Sequence, residues 1–166
     1  MLHSVLFVVT LIFISTLTNL PFKIYSTFVI EEKWGFNKTT RKTFICDLIK
    51  SFLISLVFTV ILIPLMLWVV DAAGDKLVIS LVVFTFIVIV VVNLLVPTVI
   101  LPLFYKFTDL EDGQLKTDIF KEAEKTKIPV SQIKVIDGSQ RSSHSNAFVS
   151  GFGSARKVVI FDTLID

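Results

Sequence analysis

Cysteine is nearly absent from this chain. Cys46 is the only one among 166 residues, so no internal disulfide framework holds the fold. Its place at the edge of an apolar run predicts a small buried apolar residue. Histidine is equally scarce, with only His3 and His144, and no H-E-x-x-H, C-x-x-C or G-x-S-x-G pattern occurs. The chain therefore lacks a zinc site or a nucleophile elbow of its own, and His3 reads as a terminal or interfacial residue. Charged residues make up only 18%, against about 25% in ordinary globular domains. A formal net charge of +2 gives no electrostatic footprint for nucleic acid or a strongly acidic partner.

What fills the chain instead is hydrocarbon. Apolar residues reach 54%, including 16 Phe, and the mean hydropathy is +0.81, which points to a polytopic membrane protein with a small polar appendage. Three stretches carry no Lys, Arg, Asp or Glu: 1–22, 51–70 and 77–96. Each is long enough to cross about 30 Å of hydrocarbon as a helix. The first is diluted by Ser15, Thr16, Thr18 and Asn19, and Pro21 is expected to end or kink it. It has no basic residues ahead of its apolar core, which argues against a cleaved signal peptide.

The connectors between these runs differ in charge. Residues 23–50 hold Lys23, Lys33, Lys38, Arg41, Lys42 and Lys50 against Glu31, Glu32 and Asp47, whereas Asp71 to Lys76 holds a single basic residue. The basic excess assigns 23–50 to the cytoplasmic side. Within it, Tyr25 and Trp34 read as an interfacial aromatic belt and Gly35 as a break. Gly74 is the turn residue that makes the second and third helices antiparallel neighbours. Asn93, deep in the third, is expected to hydrogen-bond between helices.

Beyond Pro97 and Pro102 the chain turns polar. Leu115, Ile119, Phe120 and Ala123 share one face of an expected helix over Gly113 to Thr126, with Asp112 placed to cap it and Pro129 to stop it. Strands are expected at Ile133 to Ile136 and Lys157 to Phe161, with Asp162 capping a helix that starts at Thr163. So small a polar region is marginal as an independent domain.

The segment from Val135 to Ile165 looks placed for chemistry rather than burial. Adjacent residues rarely face one another, so Ser142, Ser143, His144 and Ser145 read as a flexible polar turn rather than a Ser/His pair. Asn146-Ala147-Phe148 carries more. Proteases hold extended substrates by adding them to a sheet edge. On such an edge an Asn offers donor and acceptor, and a small residue such as Ala147 admits a second backbone.

Three blocks in order, Y-S-T-F-V-I-E-E-K-W-G-F-N (25–37), P-L-F-Y-K-F-T-D-L-E-D-G-Q-L (102–115) and D-G-S-Q-R-S-S-H-S-N-A-F (137–148) running into R-K-V-V-I-F-D-T-L-I, resemble the type I CAAX prenyl proteases. These are integral-membrane zinc metallopeptidases of the gluzincin class. Trp34, Asp109 and Phe148 depart mildly from the family pattern. The resemblance implies membrane helices around a water-filled chamber, closed on the cytoplasmic side by a zinc-bearing domain. It also implies an H-E-x-x-H helix after F-D-T-L-I, so the zinc ligands and the general base would lie beyond Asp166. By the same resemblance Ser145, Asn146 and Ala147 form the substrate-binding edge, which aligns the peptide without cutting it. No catalytic or metal-ligating residue is assigned within the chain.

The expected fold class is mainly α: polytopic membrane helices with three spans in 1–102, then an incomplete α+β zinc-metallopeptidase domain in 103–166. The expected function is that of a fragment of an integral-membrane zinc metalloendopeptidase acting on prenylated CAAX proteins. It would lie in the endoplasmic reticulum membrane with 103–166 in the cytoplasm, and the fragment itself would bind no zinc. A non-catalytic three-pass membrane protein with a small cytoplasmic binding module is the alternative.

Overall fold

The computed structural model describes residues 2–151 and 156–165. Helix α1 (Leu2–Tyr25) continues into a π-helical turn, Ser26–Glu31. The chain re-enters a helix at α2 (Arg41–Ala73), turns through Gly74–Lys76, and follows α3 (Leu77–Leu95) into the π-helical Val96–Ile100 and α4 (Leu101–Phe104). Two runs, Leu2–Glu31 and Arg41–Phe104, are long and apolar enough to cross a membrane. The second is folded at Gly74, whose φ of +50° favours glycine.

The helix does not end at Pro21. A proline inside a long helix removes one backbone bond, and the surrounding turns carry the helix past it. Pro64 is passed in the same way within α2. Thr40, outside the second apolar run, begins α2: its Oγ1 accepts the Thr43 amide at 3.1 Å.

The contacts divide the chain into two units, 1–33 with 40–93 and 34–39 with 94–166. In the first, α1 and α2 run antiparallel, with edge-to-face rings at Phe13–Phe52 and Phe28–Phe44. Between α2 and α3 lies a cavity of about 680 Å³ lined by apolar side chains, among them Phe58, Leu65, Trp68, Val83 and Ile87. Among the described residues Thr59 is the one buried in these helices, whereas Phe86 is 66% exposed and Ile79 67%. A helix apolar all round and facing outward suits hydrocarbon rather than water.

Its polar side chains follow the same rule. Thr10, Thr16 and Thr59 each donate to the carbonyl four residues back, at 2.8 Å. Asn93 does likewise, to Ile89 at 2.9 Å. The expected bond between helices is thus replaced by one within α3, since the second lone pair of the carbonyl one turn back is the nearest acceptor. Cys46 is exposed rather than buried, because α2 leaves most of its apolar surface outward.

The second unit holds a mixed four-stranded sheet in the order β1-β2-β4-β3. Its strands are β1 (Phe107–Asp109), β2 (Val130–Ile136), β3 (Ala147–Ser150) and β4 (Arg156–Phe161). β2 and β4 are parallel and carry the core, with β1 and β3 antiparallel on the two edges. Ile133 and Ile160 share one face with Leu110 and with Ile119 of α5 (Gln114–Lys125). Ile136 and Val159 are buried on the other.

The α5 helix forms as its periodicity predicts, but Leu115 and Phe120 stay exposed and Ile119 makes the core contact. Asp112 does not cap it. Its carboxylate pairs instead with Lys116 one turn on, at 2.7 Å. Lys127, with φ +55°, turns the chain out of the helix before Pro129.

Gly138 is buried beneath the Phe161 ring, and a Cβ there would lie 2.5 Å from Phe161 Cδ2. Gly138→Ala is expected to destabilise the protein by about 1–3 kcal/mol through overpacking. Thermal unfolding of the detergent-solubilised chain, compared with wild type, measures it.

Candidate substrate-aligning edge

β3 pairs only with β4 among the described strands, so its other side is open. The register fixes which groups face outward. Phe161 N–H donates to Asn146 O at 2.9 Å, and Ala147 stands opposite Ile160. Backbone groups alternate along an antiparallel pair. Asn146 and Phe148 therefore turn theirs toward β4, while Ala147 and Val149 present N–H and C=O to the open edge. The Ala147 amide is held meanwhile by its neighbour: Asn146 Oδ1 accepts it at 2.8 Å. Ala147 is exposed, and its methyl leaves room for a second backbone.

The three residues expected to hold substrate thus sit together at the head of this strand in distinct roles. Ala147 presents its backbone to the open edge and Asn146 Oδ1 meets its amide there, whereas the Ser145 hydroxyl turns inward and donates to Thr163 O at 2.7 Å. Thr163 Oγ1 donates back across the same gap to His144 O at 3.1 Å.

The loop ahead of β3 is tied down, contrary to its reading as a flexible turn. Gly138–Gln140 forms a 3₁₀ turn. Asp162 accepts the Ser139 amide at 2.8 Å, the Ser139 hydroxyl, and the Thr163 amide at 2.9 Å. Asp162 begins a single 3₁₀ turn, Asp162–Leu164, within the described residues. Its carboxylate serves the Ser139 loop as well as the start of that turn. Partial burial opposes ionisation of Asp162, but these three hydrogen bonds together outweigh it and hold the carboxyl below its usual range.

Residues 34–39 complete the site, and composition alone missed them. Ser143 N–H donates to Phe36 O at 3.0 Å, and Lys38 N–H and Thr39 Oγ1 both donate to Arg141 O at 3.1 and 2.9 Å. The Phe36 ring stacks on His144 with centroids 4.2 Å apart. Arg141 lies over the Tyr105 ring at 4.6 Å, and Tyr105 packs against Phe161. Trp34, read as part of an interfacial belt, is 68% exposed. The signal for this contact was the Tyr25 to Asn37 block of the resemblance.

Nearly the whole chain is matched by known proteins. Residues 1–106 match the family described as "CAAX prenyl protease N-terminal, five membrane helices", and residues 109–166 match peptidase family M48. This chain belongs to the CAAX prenyl protease family. It is 43% identical over 164 residues to the CAAX prenyl protease 1 homolog of Arabidopsis thaliana, covering 99% of this chain and 39% of that protein. The Saccharomyces cerevisiae CAAX prenyl protease 1 is 41% identical, with 99% and 36% covered. The crystal structure of S. mikatae Ste24p superposes with a TM-score of 0.94 at 42% identity, over 98% of this chain and 39% of that one. The chain thus spans about two fifths of the length of these relatives, and it is an integral membrane chain of that family.

The family is one of zinc metallopeptidases, so the donor set has to be tested. Among the described residues no group of three or more His, Cys, Asp or Glu is gathered for a metal. His144 lies against Phe36. These residues do not fit a zinc centre.

Because the Asp162 carboxyl is depressed in the folded state, its stabilisation is present above the unfolded value of about 4. It is lost as pH falls through the lower folded value. Asp162→Asn should therefore lower the melting temperature at neutral pH, with the gap to wild type closing in acid. Melting curves of both proteins from pH 7 to pH 2.5 check this.

Proposed function

We propose that this chain is an N-terminal or internal part of an integral-membrane CAAX prenyl protease, supplying membrane helices and the strand that lines up the substrate peptide. The observation that carries the reading is the placement of Asn146 and Ala147 at the head of an open sheet edge, in a chain similar to CAAX prenyl proteases from end to end.

The chemistry of alignment follows from the edge. An extended peptide laid beside β3 offers a carbonyl that replaces Asn146 Oδ1 on the Ala147 amide, and an N–H for Ala147 O. Releasing its own neighbour frees the Asn146 amide to bond a further peptide group. Ser145 belongs to the same segment and sets where it begins. These residues hold and orient the peptide, and none of them attacks it. In this family a bound zinc would supply activation of the attacking water, and it would be held by residues outside those described.

The substrate class of this reading is a prenylated protein with a C-terminal CAAX sequence, in keeping with relatives named CAAX prenyl protease 1. In this reading 1–102 spans the bilayer three times and 103–166 is the first part of the peptidase domain. The basic excess of 23–50 over Asp71 to Lys76, with two crossings between that connector and residue 103, favours a cytoplasmic peptidase domain. The endoplasmic reticulum membrane is the proposed location.

Two outcomes are expected. The isolated 166-residue chain should bind no stoichiometric zinc and show no chelator-sensitive proteolysis, measured by metal analysis and peptide cleavage. In the complete enzyme, Asn146→Ala should weaken cleavage about tenfold, chiefly through KM, with zinc content unchanged. Loss of the metal instead would mean that the strand is misassigned.

A further inference from the structure

We propose that Thr163 is a positioning residue that sets the register of the substrate-aligning edge. The inference rests on the proposed reading of that edge. The β3–β4 register, carried back from Ala147 opposite Ile160, puts Asn146 opposite Phe161 and His144 opposite Thr163. At the first of these the rung is an ordinary backbone bond, Phe161 N–H to Asn146 O at 2.9 Å. Two residues on, alternation calls for another rung. There the Thr163 amide is already engaged by Asp162 Oδ1 at 2.9 Å. The hydroxyl takes its place and donates to His144 O at 3.1 Å.

Between these two rungs, Ser145 Oγ donates to Thr163 O at 2.7 Å. Thr163 therefore grips the segment with its side chain and its carbonyl together. β3 itself is only four residues long and paired on one side, too short an edge to fix its own entry. Asp162 anchors the gripping residue in turn, through Ser139 on the preceding loop. A residue without a hydroxyl at 163 leaves His144 O without this rung, and the segment leading into Asn146 is then free to shift. Such a shift moves a bound peptide along the sheet, away from the reacting geometry.

The test compares Thr163→Val, Thr163→Ser and Asn146→Ala in the full-length enzyme, with zinc content measured throughout. Thr163→Val should speed amide exchange across 144–149 while leaving 114–125 unchanged, and should lower kcat about tenfold through misalignment. Its KM should stay within about threefold of wild type. Thr163→Ser, which keeps the hydroxyl, should restore both exchange and kcat.

Unchanged exchange in Thr163→Val overturns the inference, as does a normal kcat where Asn146→Ala is impaired. Failure of serine to rescue also overturns it. Normal cleavage by both Thr163→Val and Asn146→Ala would overturn the reading of the edge itself, and the inference with it.

Discussion

Two segments distant in sequence meet where Phe161, Asp162 and Thr163 face His144, Ser145 and Asn146, and the small domain is built around that meeting. Phe161 contributes a backbone rung on one side and a ring over Gly138 on the other. Asp162 gathers the Ser139 loop, and Thr163 exchanges hydrogen bonds in both directions with the residues entering β3. A carboxylate that accepts several N–H and O–H groups is a strong local organiser, because each charge-assisted bond is stronger than a neutral one. The same three residues therefore fix two loops.

Hydrogen bonding carries this weight because the core is slight. Leu110, Ile133, Ile136, Val159 and Ile160 are its buried apolar residues among those described. They hold β2 and β4 together, but they do not reach the tip of β3. There the short segment 34–39 supplies what the core does not, with a carbonyl for Ser143, two donors for Arg141 and a ring for His144. An edge strand with one open side cannot be buried there, so its support has to come from its ends.

The membrane helices obey the opposite rule. Their apolar side chains point outward, and their hydroxyl and amide groups bond back into their own helices. In hydrocarbon each polar group has to find a partner within protein, and the nearest carbonyl is one turn away. Cys46 and Asn93 differ from the sequence expectation for separate reasons: α2 leaves Cys46 outward, and the Asn93 amide finds the Ile89 carbonyl one turn back before any neighbouring helix.

Local pattern was legible before any coordinates. Unbroken apolar runs gave the membrane helices, spacing of apolar residues gave α5, and β-branched runs gave β2 and β4. The three quoted blocks gave the family. What the sequence by itself determined is thus whatever depends on neighbours along the chain, since helix period and strand alternation are set within a few residues. Only the tertiary structure decided that Ser145 turns inward while Ala147 faces the open edge, that Asp162 serves the Ser139 loop, and that residues 34–39 close on Arg141. Each of these depends on strand register and on contacts between residues up to 108 positions apart. A one-residue slip in register would reverse every such orientation without altering a single local preference.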